Sequence, residues 1–554
     1  MVKQHSTVSR RDFMKALGIG AAGVAAVGTA SSVAIPAFKD LDDMASFEHT
    51  LKPNRKWWVK EREILDPTVE VDWNTLAPAK TMETMWVIPS WKKYVSPAEV
   101  SALQTETTRT RNQWYAVNSS DKGENGCRMR DWQLQNAGGF QNWSQNLNGY
   151  QGSGWGGGRS LTGPATPNAW NNAAYIANGS AKWQGTPEEN TLMLRAAMRY
   201  FGSPQFGVIK LTSQTKKLLN DIEPGLTSMN SASFGGTWAD VTPTAIRNNK
   251  ARRIRFKDMD LSNYPPQPAA QDGVTTTNGP YAEDNPDDPE GYGNIWLPNG
   301  DAWILSYTIP MDKELFRTGQ GILRIVGNVS RYSQQAFIQS KLQMFLKGLG
   351  YWCAGYPNRA FGLMPAQGSA ILAGECEQGR SNNVVISPDY GSVCGYFSAI
   401  TNFPLVETKP IDAGIHRFCH TCRKCANECP GEAISQEKET SWDIPKSKWT
   451  SGTDPSIPAY SRIGKKTFWT DAPACKMVTE SALSCGNCMG TCTFNTEDYA
   501  IIHEMVRSTV SVTSLFNSFF WRADDWYGFK STPIEERDRW YSQYRPAYCY
   551  DTTI

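Results

Sequence analysis

Four cysteines within eleven residues constrain this chain more than any other feature. They are Cys419, Cys422, Cys425 and Cys429, spaced C-x2-C-x2-C-x3-C and followed directly by Pro430. One tight loop with this spacing can present thiolates to a 4Fe–4S cube. Zinc sites usually combine two CxxC pairs that lie far apart in the sequence, and disulfide frameworks are typical of small secreted domains. The run therefore predicts an iron–sulfur site.

A second set of four cysteines follows downstream, and its last three members repeat the x2, x3 spacing. The set consists of Cys475, Cys485, Cys488 and Cys492. The first run resembles the bacterial ferredoxin signature, in which the fourth cysteine ligates the other cluster. That resemblance assigns one cube to Cys419, Cys422, Cys425 and Cys492. It assigns a second cube to Cys429, Cys475, Cys485 and Cys488. Thr493 departs from the signature, because ferredoxins usually have proline after this cysteine.

The composition excludes several other kinds of site. The chain has 554 residues, enough for two or three domains, and its formal net charge of +2 gives no support for binding nucleic acid. Five histidines occur without an HExxH motif. The 21 tryptophans suit a large planar cofactor or an apolar substrate. The cysteines outside both sets are too scattered for a disulfide framework; they are Cys127, Cys353, Cys376, Cys394 and Cys549.

The N-terminus has the pattern of a twin-arginine export signal. Ser9-Arg10-Arg11-Asp12-Phe13-Met14-Lys15 precedes a weakly apolar stretch, Ala16 to Ala34, with small residues suited to cleavage near Ala30 to Ala37. This route exports folded proteins that already contain their clusters. We therefore expect a peripheral protein on the outer face of the cytoplasmic membrane, which takes electrons through a separate membrane partner.

The rest of the sequence predicts an α+β protein. Thr186-Pro187-Glu188-Glu189 is a capping box that begins a helix, and a strand is expected at 206–211 and again within 296–310. A further helix is expected to begin at Arg331 and to end near Gly348, which puts Tyr332 at a helix N-terminus, where the helix dipole favours phenolate. The predicted units are a signal peptide 1–37, a loop-rich aromatic region 38–184, a core 185–410, a two-cluster domain 411–500 and a C-terminal segment 501–554 that packs on the core.

The segment before the first cysteine run resembles the respiratory reductive dehalogenases. The matching residues are Leu405-Val406-Glu407-Thr408-Lys409-Pro410-Ile411-Asp412-Ala413-Gly414-Ile415, immediately before Phe418-Cys419. The resemblance implies a nitroreductase-like α/β core that binds a corrinoid and a C-terminal ferredoxin-like domain that reduces it. It also implies a small organohalide substrate, such as a chlorinated alkene or alkane, and a small integral-membrane anchor protein as partner. The oligomeric state is open and includes a homodimer.

The corrinoid is expected without a histidine from the protein on cobalt. The D-x-H-x-x-G motif of corrinoid proteins with a histidine ligand is absent, because Asp412 and His416 have the wrong spacing. Loss of the lower axial donor makes Co(II) easier to reduce, so a low-potential 4Fe–4S cluster can drive the reduction. The sequence thus predicts base-off cobalamin.

The family resemblance also implies the site residues. Tyr332 matches the tyrosine that donates the proton replacing the halogen, and Asn358 resembles an asparagine that contacts the pocket. The basic partner of the tyrosine is missing from the loop 389–395, so Arg380 is the candidate for that role. The expected cofactor contacts are Tyr390, Gly391, Ser392 and Trp469. Vicinal dihalides could instead lose two halides without a proton.

Two other functions compete with this interpretation. An epoxyqueuosine-reductase-like cobalamin enzyme is cytoplasmic and acts on tRNA; the export signal and the lack of a basic stripe argue against it. A periplasmic electron-transfer subunit without substrate chemistry would need only the cysteine domain, whereas about 380 residues separate the signal from Cys419. Bound cobalt would discriminate between this subunit and a cobalamin enzyme.

Overall fold

A computed structural model describes most of the chain. The described residues are 55–85, 88–114, 124–138, 183–223, 242–248, 251–258, 281–349, 351–356, 362–455, 461–495, 501–526 and 529–542. The predicted signal peptide lies outside these ranges, as do Asn358 and Cys549. Within them, no helix combines the length and the apolar character that crossing a bilayer requires.

The helices are mostly short, apart from one long helix in the middle of the chain. In order they are α1 Ile88–Trp91, α2 Pro97–Trp114, α3 Met129–Gly138, α4 Pro187–Phe201, α5 Pro243–Asn248, α6 Lys313–Arg317, α7 Ile322–Gly348, α8 Ala366–Leu372, α9 Ile415–Thr421, α10 Lys424–Asn427, α11 Ala472–Ser481, α12 Asn487–Gly490, α13 Ile501–Val512 and α14 Asn517–Trp526. Short 3-10 helices lie at Thr81–Glu83, Thr215–Leu218, Thr493–Asn495 and Ile534–Ser542.

The strands form two larger sheets and several two-stranded pairs. In order they are β1 Lys60–Glu61, β2 Glu70–Val71, β3 Phe206–Lys210, β4 Ile222–Glu223, β5 Arg252–Lys257, β6 Tyr281–Glu283, β7 Gly293–Pro298, β8 Trp303–Pro310, β9 Cys353–Ala354, β10 Glu377–Gln378, β11 Val385–Ile386, β12 Cys394–Thr401, β13 Ile411–Asp412 and β14 Lys465–Lys466. The mixture of helix and strand confirms the α+β prediction at that coarse level.

The central sheet has the strand order β3-β8-β12-β9 and is antiparallel throughout. β8 and β12 are buried along their whole lengths, because both faces of the sheet are covered. One face packs against α4 and α7 through residues such as Leu194, Met198 and Leu342. The other face packs Ile209, Ile304 and neighbouring apolar residues into a second core. The long helix α7 is therefore fixed against the sheet.

The predicted strand within 296–310 is in fact two strands in different sheets. β7 ends at Pro298 and β8 begins at Trp303, and Gly300 between them has a φ of 123°. Only glycine adopts that conformation without strain, so the chain turns here. β7 then joins the second sheet, whose order is β4-β5-β7-β6, with β5 and β7 parallel.

Helix α4 confirms the predicted capping box. The Thr186 side chain accepts from the Glu189 amide at 3.2 Å, and the Glu189 carboxylate accepts from the Thr186 amide at 2.9 Å. The helix ends at Gly202, which has a φ of 111°. The predicted strand follows as β3. Local sequence was sufficient here because both helix ends are specified by their own residues.

The predicted start of α7 at Arg331 was wrong. The helix begins at Ile322, directly after Gly321, whose φ is 94°. Gly327 lies in the interior of this helix, where an added Cβ would come within 3.0 Å of Leu315. The glycine is needed for the close packing of α6 on α7. Tyr332 therefore lies in the third turn of α7 rather than at its N-terminus, and the dipole argument for its phenolate does not apply.

The cysteine-bearing segment is tied to both ends of the described chain. β1 pairs with β13, and β2 pairs with β14. After the second cysteine set, Val510 of α13 and Phe520 of α14 pack with Phe418 of α9 in one apolar cluster. The 3-10 helix near the end returns to the core, where the Trp540 indole donates to Asp312 at 3.0 Å.

Candidate active site

The first thiol group lies where α9, α10 and the loop after α12 meet. Cys419 is in the last turn of α9, Cys422 follows that helix, and Cys425 is within α10. Their thiols line one cavity together with Cys492 and with Cys488 of the second set. The structure therefore brings together the four cysteines that the sequence assigned to one cube.

The second thiol group combines a cysteine from the first run with three from the second. The Cys475 thiol is within electrostatic range of Cys485 and Cys429, and Cys488 interacts with all three. Cys488 also faces Cys425 of the first group. The two groups are thus adjacent, and both have the membership that the spacing pattern implied.

The donor chemistry of both groups suits a cluster better than a single ion. Burial, together with neighbouring thiols, raises the pKa of the Cys422 thiol to about 12 and that of Cys475 to about 11. A metal centre removes such protons, since a coordinating thiol is deprotonated outright. Among the described residues, no three His, Cys, Asp or Glu side chains converge on one ion. The four thiols of a cube bind different irons, so they are expected to surround a cavity and not to meet at one point. The thiols of the first group do line a cavity.

Arg380 does not lie beside Tyr332, so the prediction that it is the basic partner was wrong. Its guanidinium is buried and donates to the backbone carbonyls of the first cysteine loop, among them Cys419 at 2.7 Å and Cys422 at 2.9 Å. It also donates to the carbonyls of Ser435 at 2.8 Å and Glu437 at 2.7 Å. Arg380 therefore fixes the loop that presents the first thiol group.

The basic partner of Tyr332 is its own neighbour, Arg331. The Arg331 Nη2 donates to the Tyr332 hydroxyl at 2.8 Å, and its guanidinium lies 4.6 Å from the centre of the phenol ring. Gly395 on β12 makes room for this arrangement, because an added Cβ there would lie 2.7 Å from the Arg331 Cδ. The sequence analysis missed Arg331, although its place next to Tyr332 was a usable signal.

Aromatic rings surround the Tyr332 side chain. Its ring meets Phe397 edge to face at 5.9 Å, and Tyr356 meets the same Phe397 at 5.4 Å. Tyr307 stacks on the other side of Phe397 at 5.9 Å. These rings give the hydroxyl of Tyr332 an apolar surrounding, with Arg331 as the adjacent charge.

Arg324 lies between the second thiol group and Tyr332. Burial lowers the pKa of its guanidinium, and Cys485, Cys488, Arg331 and Tyr332 lie within electrostatic range of it. On α7, Arg324 lies about two turns before the adjacent residues Arg331 and Tyr332, so this one helix connects the second thiol group to the tyrosine. The sequence analysis did not single out Arg324.

The four predicted cofactor-contact residues lie in different parts of the fold. The Ser392 hydroxyl donates to the Met489 carbonyl at 2.7 Å, and Ser392 lines the first thiol cavity. Gly391 has a φ of 73° and packs against Phe494. Tyr390 is buried in the main core, and the Trp469 indole donates to the Ser441 carbonyl at 3.0 Å. Asn358 lies outside the described residues.

Three comparisons relate this chain to known proteins. The family model for the reductive dehalogenase subunit matches residues 54–247 and 250–405. A trichloroethene reductive dehalogenase of Dehalococcoides mccartyi is 30% identical and spans 98% of this chain and 98% of that protein. A chloroethene reductive dehalogenase of another strain of the species is 28% identical over 100% of this chain and 99% of that protein.

One solved structure shares the fold. The catabolic reductive dehalogenase NpRdhA superposes with a TM-score of 0.51 at 13% identity, covering 90% of this chain and 53% of that one. The chain thus spans about half the length of that solved protein. The family model covers more than half of this sequence. The chain is an oxidoreductase acting on carbon–halogen bonds, and it belongs to the reductive dehalogenase family.

Proposed function

We propose that this protein removes halide from small chlorinated alkenes at a base-off cobalamin supplied with electrons by two 4Fe–4S clusters. The observation that carries the proposal is the arrangement of thiols and tyrosine. Two adjacent thiol groups lead, through Arg324 on α7, to Tyr332 in its aromatic surrounding. The named substrates of the two full-length relatives, trichloroethene and chloroethene, support small alkenes as the substrate class.

The eight cysteines fit the two clusters by number, by pairing and by burial. Cys419, Cys422, Cys425 and Cys492 would hold one cluster. Cys429, Cys475, Cys485 and Cys488 would hold the other. When bound, the clusters and cobalamin would supply low-potential electrons and a reducible cobalt for cleaving the carbon–halogen bond.

The two histidines near the first thiol group support a corrinoid without a histidine ligand from the protein. The His416 Nδ1 contacts the Gln378 carbonyl at 3.0 Å, and burial lowers the pKa of its ring. The His420 Nδ1 lies 3.4 Å from the Glu439 carboxylate. Both rings thus have partners, Gln378 of β10 and Glu439. A nitroreductase-like core, formed by the central sheet and α7, is part of the same proposal.

Tyr332 would donate the proton that replaces the halogen. Its hydroxyl is held by the Arg331 guanidinium, which would stabilise the phenolate left after the transfer. The rings of Phe397 and Tyr356 would exclude water, so the charge of Arg331 would act in surroundings of low dielectric constant. Elimination of two halides from a vicinal dihalide would bypass this proton.

The remaining parts of the proposal concern location and partners. Residues 1–37 would direct export by the twin-arginine route, and a small integral-membrane protein would anchor the enzyme on the outer face of the cytoplasmic membrane. The remaining units would be residues 38–184, 185–410, 411–500 and 501–554. The last of them would contact both α9 and the core.

The deciding experiment is metal analysis of protein purified without oxygen and reconstituted with cobalamin, followed by assay on a chlorinated ethene panel. About eight iron and one cobalt per chain, with chloride release, would support the proposal. Eight iron without cobalt would instead indicate an electron-transfer subunit. About four iron would mean that the second cysteine set, with Thr493 in place of proline, holds no cluster.

A further inference from the structure

Several buried cations lie near the thiol groups, and they differ in what balances their charge. Lys424, between two cysteines of the first group, is buried and forms an ion pair with Asp524, whose side chain is 10% exposed. Arg380, also at the first group, donates to backbone carbonyls. Arg324 at the second group donates to the neutral Ser484 hydroxyl at 2.9 Å. Within the described ranges, no carboxylate pairs with Arg324. The second group therefore faces an uncompensated positive charge.

The chain is built to let Arg324 approach the second group. Cys485 and Cys488 flank Gly486, where an added Cβ would lie 2.6 Å from the Arg324 Nε. The guanidinium also lies 4.8 Å from the centre of the Phe316 ring, which supports its other face. In the part of the chain that the structure describes, the buried Nε has no hydrogen-bond partner. A buried donor without a partner is unfavourable, so a partner at the thiol group is expected.

A positive charge at this place favours the more negative state of a neighbouring cluster. A 4Fe–4S cluster with four thiolates is anionic, and taking up one electron adds one negative charge while no bond is made or broken. Hydrogen bonds to the sulfurs and nearby charges are among the factors that set such reduction potentials. Removing the charge should make the reduced state less stable.

We propose that Arg324 is a positioning residue of the second cluster: its Nε–H donates to a sulfur there, and its charge raises the reduction potential of that cluster. This inference rests on the proposed function, since it requires clusters at both thiol groups. It further implies that the compensated Lys424–Asp524 pair leaves the first cluster at a lower potential than it would have beside a free lysine.

The test is a potentiometric titration with dithionite, followed by electron paramagnetic resonance, on the intact protein loaded with iron and cobalamin. Arg324→Gln should lower the midpoint of one cluster by at least about 59 mV, which is a tenfold smaller reduction constant for one electron. The other midpoint should not move. Arg324→Lys keeps the charge and loses the Nε donor, so its shift should be smaller.

Two further variants assign the signals and control for nearby changes. Asp524→Asn leaves Lys424 without its partner, and it should raise the midpoint that Arg324→Gln does not move. The double variant Glu314→Gln/Arg317→Gln removes an ion pair on α6, the helix that packs on α7, in which the Arg317 Nη1 lies 3.0 Å from the Glu314 carboxylate. Because the pair is neutral, its removal should leave both midpoints in place.

The inference and the proposed function fail in different ways. Unchanged midpoints in Arg324→Gln, at full iron content, would overturn the inference alone. If that variant loses iron, Arg324→Lys decides: a drop of the midpoint smaller than about 59 mV supports the proposal, because the charge is kept and the Nε donor is lost, whereas an unchanged midpoint or a larger drop overturns it. Fewer than two reducible clusters in the unaltered protein would reject the proposed function itself.

Discussion

At the scale of single residues, the Tyr332 and Arg331 pair is the feature that most directly implies chemistry. Adjacent residues on a helix usually point in different directions. Here the arginine side chain folds back, so that its guanidinium reaches the neighbouring hydroxyl at 2.8 Å. The pair places a phenol hydroxyl beside a fixed positive charge, and Gly395 on β12 leaves the space for the arginine side chain.

Tyr332→Phe removes the proposed proton donor while keeping the ring against Phe397. We expect hydrogenolysis of trichloroethene to fall by about 10²- to 10⁴-fold, the usual contribution of a positioned acid. Iron and cobalt content should be unchanged. Tyr200→Phe is the control, because Tyr200 is 87% exposed. Full chloride release by Tyr332→Phe would show that Tyr332 is not the proton donor.

Gly395→Ala tests whether the position of Arg331 matters. The new methyl group would displace the Arg331 side chain and lengthen its hydrogen bond to Tyr332. A displacement of about 1 Å can cost up to about 100-fold in rate, so we expect a loss between tenfold and 100-fold. The matched control is Gly368→Ala in α8, where the Cβ would make an ordinary 3.5 Å contact with Leu218. Equal activities of the two variants would contradict the prediction.

At the scale of elements, the first cysteine loop is held by side chains from outside it. Arg380 follows β10, and it binds carbonyls of α9 and of the chain after Pro430. Glu377 of β10 accepts from the Ala413 amide at 2.6 Å and from the His416 amide at 3.2 Å, at the start of α9. A strand of two residues thus orients the helix that carries Cys419.

Arg380→Lys should release this loop. The substitution keeps one positive charge but replaces a planar five-donor fork with three donors, so several carbonyls of α9 lose their partner. Iron content should fall from about eight toward four per chain, with a lower melting temperature. Arg417→Lys is the control, since Arg417 is exposed on the same helix and donates to the Ser511 carbonyl at 2.7 Å. Retention of all the iron in Arg380→Lys would show that the loop does not need the fork.

At the scale of the whole molecule, two buried carboxyl groups couple stability to pH. Burial raises the pKa of Glu375, a partner of the Ser306 hydroxyl, to about 8. Burial likewise raises the pKa of Glu377 to about 7. Both groups bind a proton more tightly in the folded state than in the unfolded chain. Their contribution to stability is therefore complete below the unfolded pKa of about 4.5 and is lost as the pH rises through 7 and 8.

Glu375→Gln should flatten this pH dependence. In the unaltered protein, each such group lowers the free energy of unfolding by at most about 1.4 kcal/mol per pH unit over its range. The measurement is the melting temperature between pH 5 and pH 8.5, for the loaded protein without oxygen. The melting temperature of the variant should fall less on going to high pH than that of the unaltered protein. The exposed Glu188→Gln variant should retain the original slope, and a Glu375→Gln slope equal to it would refute the expectation.

Short-range patterns in the sequence were sufficient to predict the cysteine groups, the start of α4 and the family. The resemblance of the cysteine spacing to the ferredoxin signature implied which thiols share a group, including the exchange of Cys429 and Cys492 between the two sets. The capping box of Thr186 and Glu189 fixed the start of α4, because that helix end is specified by its own residues. The segment before Cys419 indicated the family, which the comparisons confirmed.

Only the tertiary structure decided which charges act at the site. Arg380 was the expected partner of Tyr332, yet the fold places it on the first cysteine loop, more than thirty residues further along the chain. Arg324 lies before the helix start predicted at Arg331, whereas the helix begins at Ile322, and Gly327 in its interior allows the close packing of α6. Arg331 was within the predicted helix, but the sequence did not show that its guanidinium reaches Tyr332. The sheet and the helices around it bring a charge to a thiol or a phenol across long stretches of sequence. Such long-range contacts leave no spacing pattern, so the sequence could not reveal them.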